Sequence, residues 1–116
     1  MEEATKLFVD NANGQPGTFG AYPPMLKAMF VDNARTLRLD APPPAPITCA
    51  QLGQLKVPVM ITNGQLSKPV PKILAEAEQR CIPRSQLIMI PGARHSAPWQ
   101  NTSAFNEALL AFLARN

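Results

Sequence analysis

Two short apolar runs separated by a helix-length stretch constrain this chain more than any other feature. Val57-Pro-Val-Met-Ile-Thr62 and Leu87-Ile-Met-Ile90 are apolar at nearly every position. A strand with one wet face alternates polar and apolar residues, whereas a strand apolar throughout is covered on both faces, as in a parallel sheet under helices. Between them, residues 69–81 place Val70, Ile73, Leu74, Ala77 and Cys81 at helical spacing. The pattern therefore predicts a βαβ unit. Asn63-Gly64 ends the first strand, and a short helical turn over 50–55, capped by Thr48, precedes it. A final helix over 102–114, with Asn101 as its cap, sets Ala104, Phe105, Ala108, Leu109, Phe112 and Leu113 on one side. Residues 47–116 thus read as α/β with a βαβα order.

The first part of the chain contains no strand pattern. It reads as two helices, residues 2–13 stopped by Gly14 and residues 24–37 opened by a proline in the first turn. The intervening loop Asn13-Gly-Gln-Pro-Gly-Thr-Phe-Gly20 is too rich in glycine to be an element of its own. Leu7, Phe8, Met25, Leu26, Met29 and Phe30 provide small apolar faces, more suited to a cover than to a core. Prolines cluster at Pro23-Pro24, in Ala41-Pro-Pro-Pro-Ala-Pro46 and in Lys68-Pro-Val-Pro71, where they mark segment boundaries. Residues 1–46 are accordingly set apart from residues 47–116.

Composition excludes several functions. The 116 residues, 46% of them hydrophobic, suffice for one small core. The net charge of +3 comes from basic residues scattered from Lys6 to Arg115 without a run, so no nucleic-acid partner is expected. Cys49 and Cys81 have no C-x-x-C spacing, and the chain has a single histidine. No metal site and no cofactor are expected. Cys81 falls on the apolar helix face, where cysteine behaves as a small hydrophobe, and both thiols are expected to be reduced in a cytoplasmic protein. Met1-Glu-Glu-Ala-Thr-Lys lacks the basic start of a secretory signal, and no apolar run approaches the ~20 residues of a membrane span.

The one candidate for chemistry is His95. It stands in Ile90-Pro-Gly-Ala-Arg-His-Ser-Ala-Pro-Trp99, a loop between an apolar strand and the final helix. Such a loop is anchored at one end and open at the other, and an imidazole there accepts protons near neutral pH. Trp99, four residues on, is expected to pack beneath the loop and fix it.

Taken together, Val57-Pro-Val-Met-Ile-Thr-Asn-Gly64, the helix, Leu87-Ile-Met-Ile-Pro-Gly-Ala-Arg-His95 and Asn101-Thr-Ser-Ala-Phe-Asn-Glu-Ala-Leu-Leu-Ala-Phe-Leu113 resemble the carboxyl-terminal end of an α/β-hydrolase. The likeness covers about residues 45–116. It implies a partial α/β-hydrolase-like parallel sheet, a helical cap-like segment over 1–46, hydrolysis of an ester or similar bond, and His95 as the base of a Ser-His-acid triad. The chain lacks the family's G-x-S-x-G nucleophile elbow. Where many members carry the triad aspartate, Gly64-Gln-Leu-Ser67 offers Ser67; Asp32, Asp40 or an upstream strand are the alternatives for the acid. A partner is expected, either the missing amino-terminal half or a second copy, because two parallel strands leave open edges. The competing expectation is a remnant without catalysis that acts as an oligomerising or binding module.

Overall fold

A computed structural model describes residues 1–38 and 45–116. The chain divides into two compact units, Met1–Ala45 and Pro46–Asn116. Asp40 and most of the proline cluster that begins at Ala41 lie outside the described residues.

The first unit is helical. Helix α1 (Glu2–Asn13) buries Thr5, Val9 and Asn13, one residue per turn along a single face, and ends at Gly14 in the left-handed conformation that glycine tolerates best. The loop that follows contains a helical turn, α2 (Thr18–Ala21). Its glycines resemble those of a plain connection, so the turn is not apparent from the sequence. Asp10 organises this turn: its two carboxylate oxygens accept the amides of Gly17 at 2.9 Å and Phe19 at 2.8 Å. Helix α3 (Pro24–Asn33) starts on its proline and tightens into a 3-10 turn over Ala34–Arg38. Val9, Phe19, Tyr22 and Leu26 form the core, and Phe30 stacks on Tyr22 with ring centres 5.8 Å apart.

The second unit is the α/β part. Helix α4 (Cys49–Leu52) is capped by Thr48 through a reciprocal capping box with Gln51. Strands β1 (Val59–Gly64) and β2 (Ser85–Ile90) pair in parallel, with Val59 opposite Ser85 and Gly64 opposite Ile90. Helix α5 (Pro69–Cys81) makes the crossover, and α6 (Ala97–Gln100) leads into α7 (Thr102–Arg115), whose first turn is capped by the Asn101 side chain. The core is built on Ile90, Ala93 and Ala97, with Ile88, Ala104, Phe105 and Ala108 packed against them.

Two expectations are corrected here. Cys49 and Cys81 are joined in a disulfide rather than reduced: α4 lies against the end of α5, which brings together two cysteines 32 residues apart. The strands are also less covered than their composition implied. Most of their residues are half-buried, and Val70, Ile73 and Leu74 of α5 are each more than half exposed. Among the described residues the sheet has only two strands, so the apolar surfaces that a larger sheet would cover stay open. No helix among the described residues is long and apolar enough to cross a membrane.

Candidate active site

The site is built where both strands end. The loops that follow β1 and β2 are tied together by a set of hydrogen bonds. Gln65 N donates to Ile90 O at 2.9 Å and Leu66 N to Ala93 O at 2.8 Å. The Gln65 side chain accepts from Gly92 N at 3.0 Å, and Arg94 Nη1 donates to Leu66 O at 3.2 Å. From the other side, Gln100 Oε1 accepts from Arg94 N at 2.7 Å, and Asn101 Nδ2 donates to Pro91 O at 3.0 Å. Gly92 turns the chain with φ of 65°, a conformation that costs glycine little. The loop bearing His95 is thus braced at Pro91, Gly92, Ala93 and Arg94.

His95 itself is exposed and lines a cleft of about 200 Å³ together with Thr62, Asn63, Gly64, Ser67, Pro71, Ala97 and Pro98. This places the imidazole at the carboxyl end of the parallel strands, the position from which open α/β sheets present reactive groups. Ser67 is 8% exposed and stands in the turn between β1 and α5, held by its amide on Gly64 O at 3.0 Å. Asn63 Oδ1 is buried and accepts no hydrogen bond among the described residues. A buried acceptor without a donor is costly, and this one belongs to a residue of the cleft lining.

The structure brings Ser67 and His95 into one cleft. It leaves Asp32 exposed on α3 of the first unit, and Asp40 falls outside the described residues. None of the residues lining the cleft is a carboxylate. Among the described residues no group of three or more His, Cys, Asp or Glu could hold a metal ion.

Trp99 is a correction: it is 55% exposed. Residues two apart on a helix face different ways, and α6 turns Ala97 into the core and leaves Trp99 in solvent. The bracing expected of the indole comes instead from Gln65 and Gln100, whose polar side chains give no signal in a single sequence, and from Asn101, which the sequence marks only as a helix cap. Gly64 was also missed as a site residue. It reads as a strand terminator, whereas its role is steric: a Cβ there would collide with the carbonyls of Ala93 and Arg94.

Comparison with solved structures agrees with this fold. A bromoperoxidase from Bacillus anthracis superimposes with a TM-score of 0.70 over 97% of this chain at 21% identity, and 44% of that protein is covered. A provisionally named non-heme bromoperoxidase, BpoC, of Mycobacterium tuberculosis H37Rv gives a TM-score of 0.57 over 98% of this chain at 17% identity, with 51% of that protein covered. Both have the α/β-hydrolase fold, and this chain spans about half of each. No family model matches the sequence, and no curated protein matches it. The fold is therefore a partial α/β-hydrolase fold: a small parallel sheet with its helices, preceded by a helical segment.

Proposed function

We propose that this chain is the carboxyl-terminal portion of an α/β-hydrolase and supplies the base, His95, to an active site whose serine nucleophile lies in the part of the fold that these residues do not provide. The observation that supports this reading most is the position of His95: exposed, at the carboxyl end of β2, in a loop held by at least six hydrogen bonds and facing a cleft. A serine hydroxyl is too weak an acid to attack an ester unaided. His95 takes its proton as the bond to the carbonyl carbon forms, then returns it to the departing alkoxide. The helices of the first unit, α1 to α3, correspond to part of the cap of such an enzyme. The rest of the sheet, supplied by an amino-terminal half, covers the open strands and the apolar residues of α5.

The absence of a carboxylate from the cleft favours a second reading, in which Ser67 marks a branch without catalysis and the exposed Val70, Ile73 and Leu74 serve association with another copy.

A chimera separates the two. The chain replaces the matching 44% of the Bacillus anthracis protein, and the product is assayed for p-nitrophenyl acetate turnover and fluorophosphonate labelling. Turnover that His95→Ala lowers by about 10³-fold or more supports the triad role. A folded chimera whose turnover is the same with and without His95 overturns it.

A further inference from the structure

The segment that leads into the second unit is held there by little except one covalent bond. Helix α4 buries no residue, and Ile47, Leu55 and Val57 are all exposed. Most of its hydrogen bonds are local: Thr48 with Gln51, Leu52 N to Thr48 O, Gly53 N to Cys49 O, Gln54 N to Gln51 O. A four-residue helix is not stable alone. Its links to the rest of the unit are the half-buried Leu52, the close approach of Gly53 to the carbonyl of Cys81, one bond from Arg84 Nη1 to Lys56 O at 3.2 Å, and the Cys49–Cys81 disulfide.

We propose that Cys49 and Cys81 form a reversible redox clamp, which locks the segment between Pro46 and Lys56 onto the end of α5 when oxidised and releases it when reduced. Cys49 is exposed and Cys81 half-buried, so an incoming thiolate attacks the Cys49 sulfur and expels the Cys81 thiolate, which takes up a proton. A second low-molecular-weight thiolate then attacks the exogenous sulfur of the mixed disulfide and releases Cys49. Two electrons have passed to the protein, and the exogenous thiols leave as their disulfide. Oxidation by a low-molecular-weight disulfide runs the same steps backwards. What opens is the place where the chain passes from one unit into the next, while the strands, α7 and the braced His95 loop keep their own hydrogen bonds.

The test uses the full chain equilibrated with oxidised glutathione or with dithiothreitol, digested briefly with trypsin and followed by mass spectrometry at the bond after the exposed Lys56. The oxidised chain should be cut there at least about tenfold more slowly than the reduced chain, because cleavage follows the open population. The double variant Cys49→Ser/Cys81→Ser should behave as the reduced chain in both buffers. Hydrogen exchange run in parallel should show faster exchange at Leu52 and Gly53 on reduction, with β1, β2 and α7 unchanged. Two free thiols remaining after glutathione treatment, equal cleavage in both buffers, or loss of protection across the whole unit would each overturn the clamp.

Discussion

Gly64 lies so close to the peptide carbonyls of Ala93 and Arg94 that a Cβ at position 64 would stand 2.6 Å from the Ala93 carbonyl carbon and closer still to both carbonyl oxygens. The end of β1 is thus the seat on which the His95 loop rests. Backbone, unlike the tip of a side chain, yields only by moving the loop. Gly64→Ala should lower stability by about 1–3 kcal/mol, the usual cost of overpacking, and should shift the amide resonances of Ala93, Arg94 and His95. Gly20→Ala is the control, because a Cβ there meets nothing within 4 Å; urea denaturation should place its effect within ~0.5 kcal/mol of neutral or make it mildly stabilising.

Ser67 and His95 line one cleft without a carboxylate, and this makes the imidazole a direct probe of the cleft. Ser67→Asp introduces a carboxylate on the same lining. The His95 ring resonances should then move, at one fixed pH, relative to the unsubstituted chain. Because the chain has one histidine, its ring proton can be followed by NMR without ambiguity. Identical ring resonances in both proteins would show that position 67 does not face the ring.

Trp99, with more than half of its surface in solvent, has little packing to lose. Trp99→Ala should change stability by less than about 1 kcal/mol, well short of the ~3–5 kcal/mol of a buried aromatic, and should leave the His95 loop in place. Gln65→Ala, which removes the acceptor of Gly92 N, should loosen that loop instead. Backbone relaxation of residues 91–96 compares the two.

The strands, the crossover helix and the terminal helix were legible because each follows from a local rule: continuous apolar runs, helical spacing over 69–81, and caps at Thr48 and Asn101 that the structure retains. The exposed histidine after the last strand was legible for the same reason. What the sequence did not reveal depends on contacts between distant residues. Cys49 and Cys81, 32 residues apart, meet only because the chain brings the end of α5 back beside α4, and the steric role of Gly64 exists only because another loop crosses it. The error at Trp99 had a different origin. Its size suggested burial, but the phase of α6 placed the small Ala97 inward.

No serine in the chain should react as an activated nucleophile. Ser85 Oγ is engaged with the carbonyls of Gln79 and Ile82 at 3.1 and 2.8 Å, Ser96 precedes α6 and Ser103 lies in the first turn of α7. Ser67, although it shares the His95 cleft, makes no hydrogen bond with the imidazole among those of the described residues. A fluorophosphonate probe should therefore leave the isolated chain unlabelled, as judged by intact mass. Stoichiometric labelling at Ser67 would move the whole active site into this chain.

Asp10 links the first unit to pH. Its carboxylate accepts amide hydrogens from Phe19 and Gly17, and these bonds, Phe19 first, hold its pKa below the ordinary aspartate value, with a smaller contribution from Lys6. Because the folded-state pKa lies below that of the unfolded chain, the folded unit binds this proton less readily. The resulting stability is fully present above the unfolded value and is lost as pH falls through that value toward the folded one. Asp10→Asn removes the titrating charge, so its stability should be lower than that of the unsubstituted chain at neutral pH and should lack this component of the acid dependence. Urea unfolding followed at the amides of Phe19 and Gly17 between pH 2 and pH 6 separates the two proteins, since those amide shifts report the carboxylate's own titration. The chains should converge in stability at the acid end and diverge above it. Parallel curves across the whole range would show that the turn around α2 is held by its packing on Val9 and Tyr22 and not by Asp10.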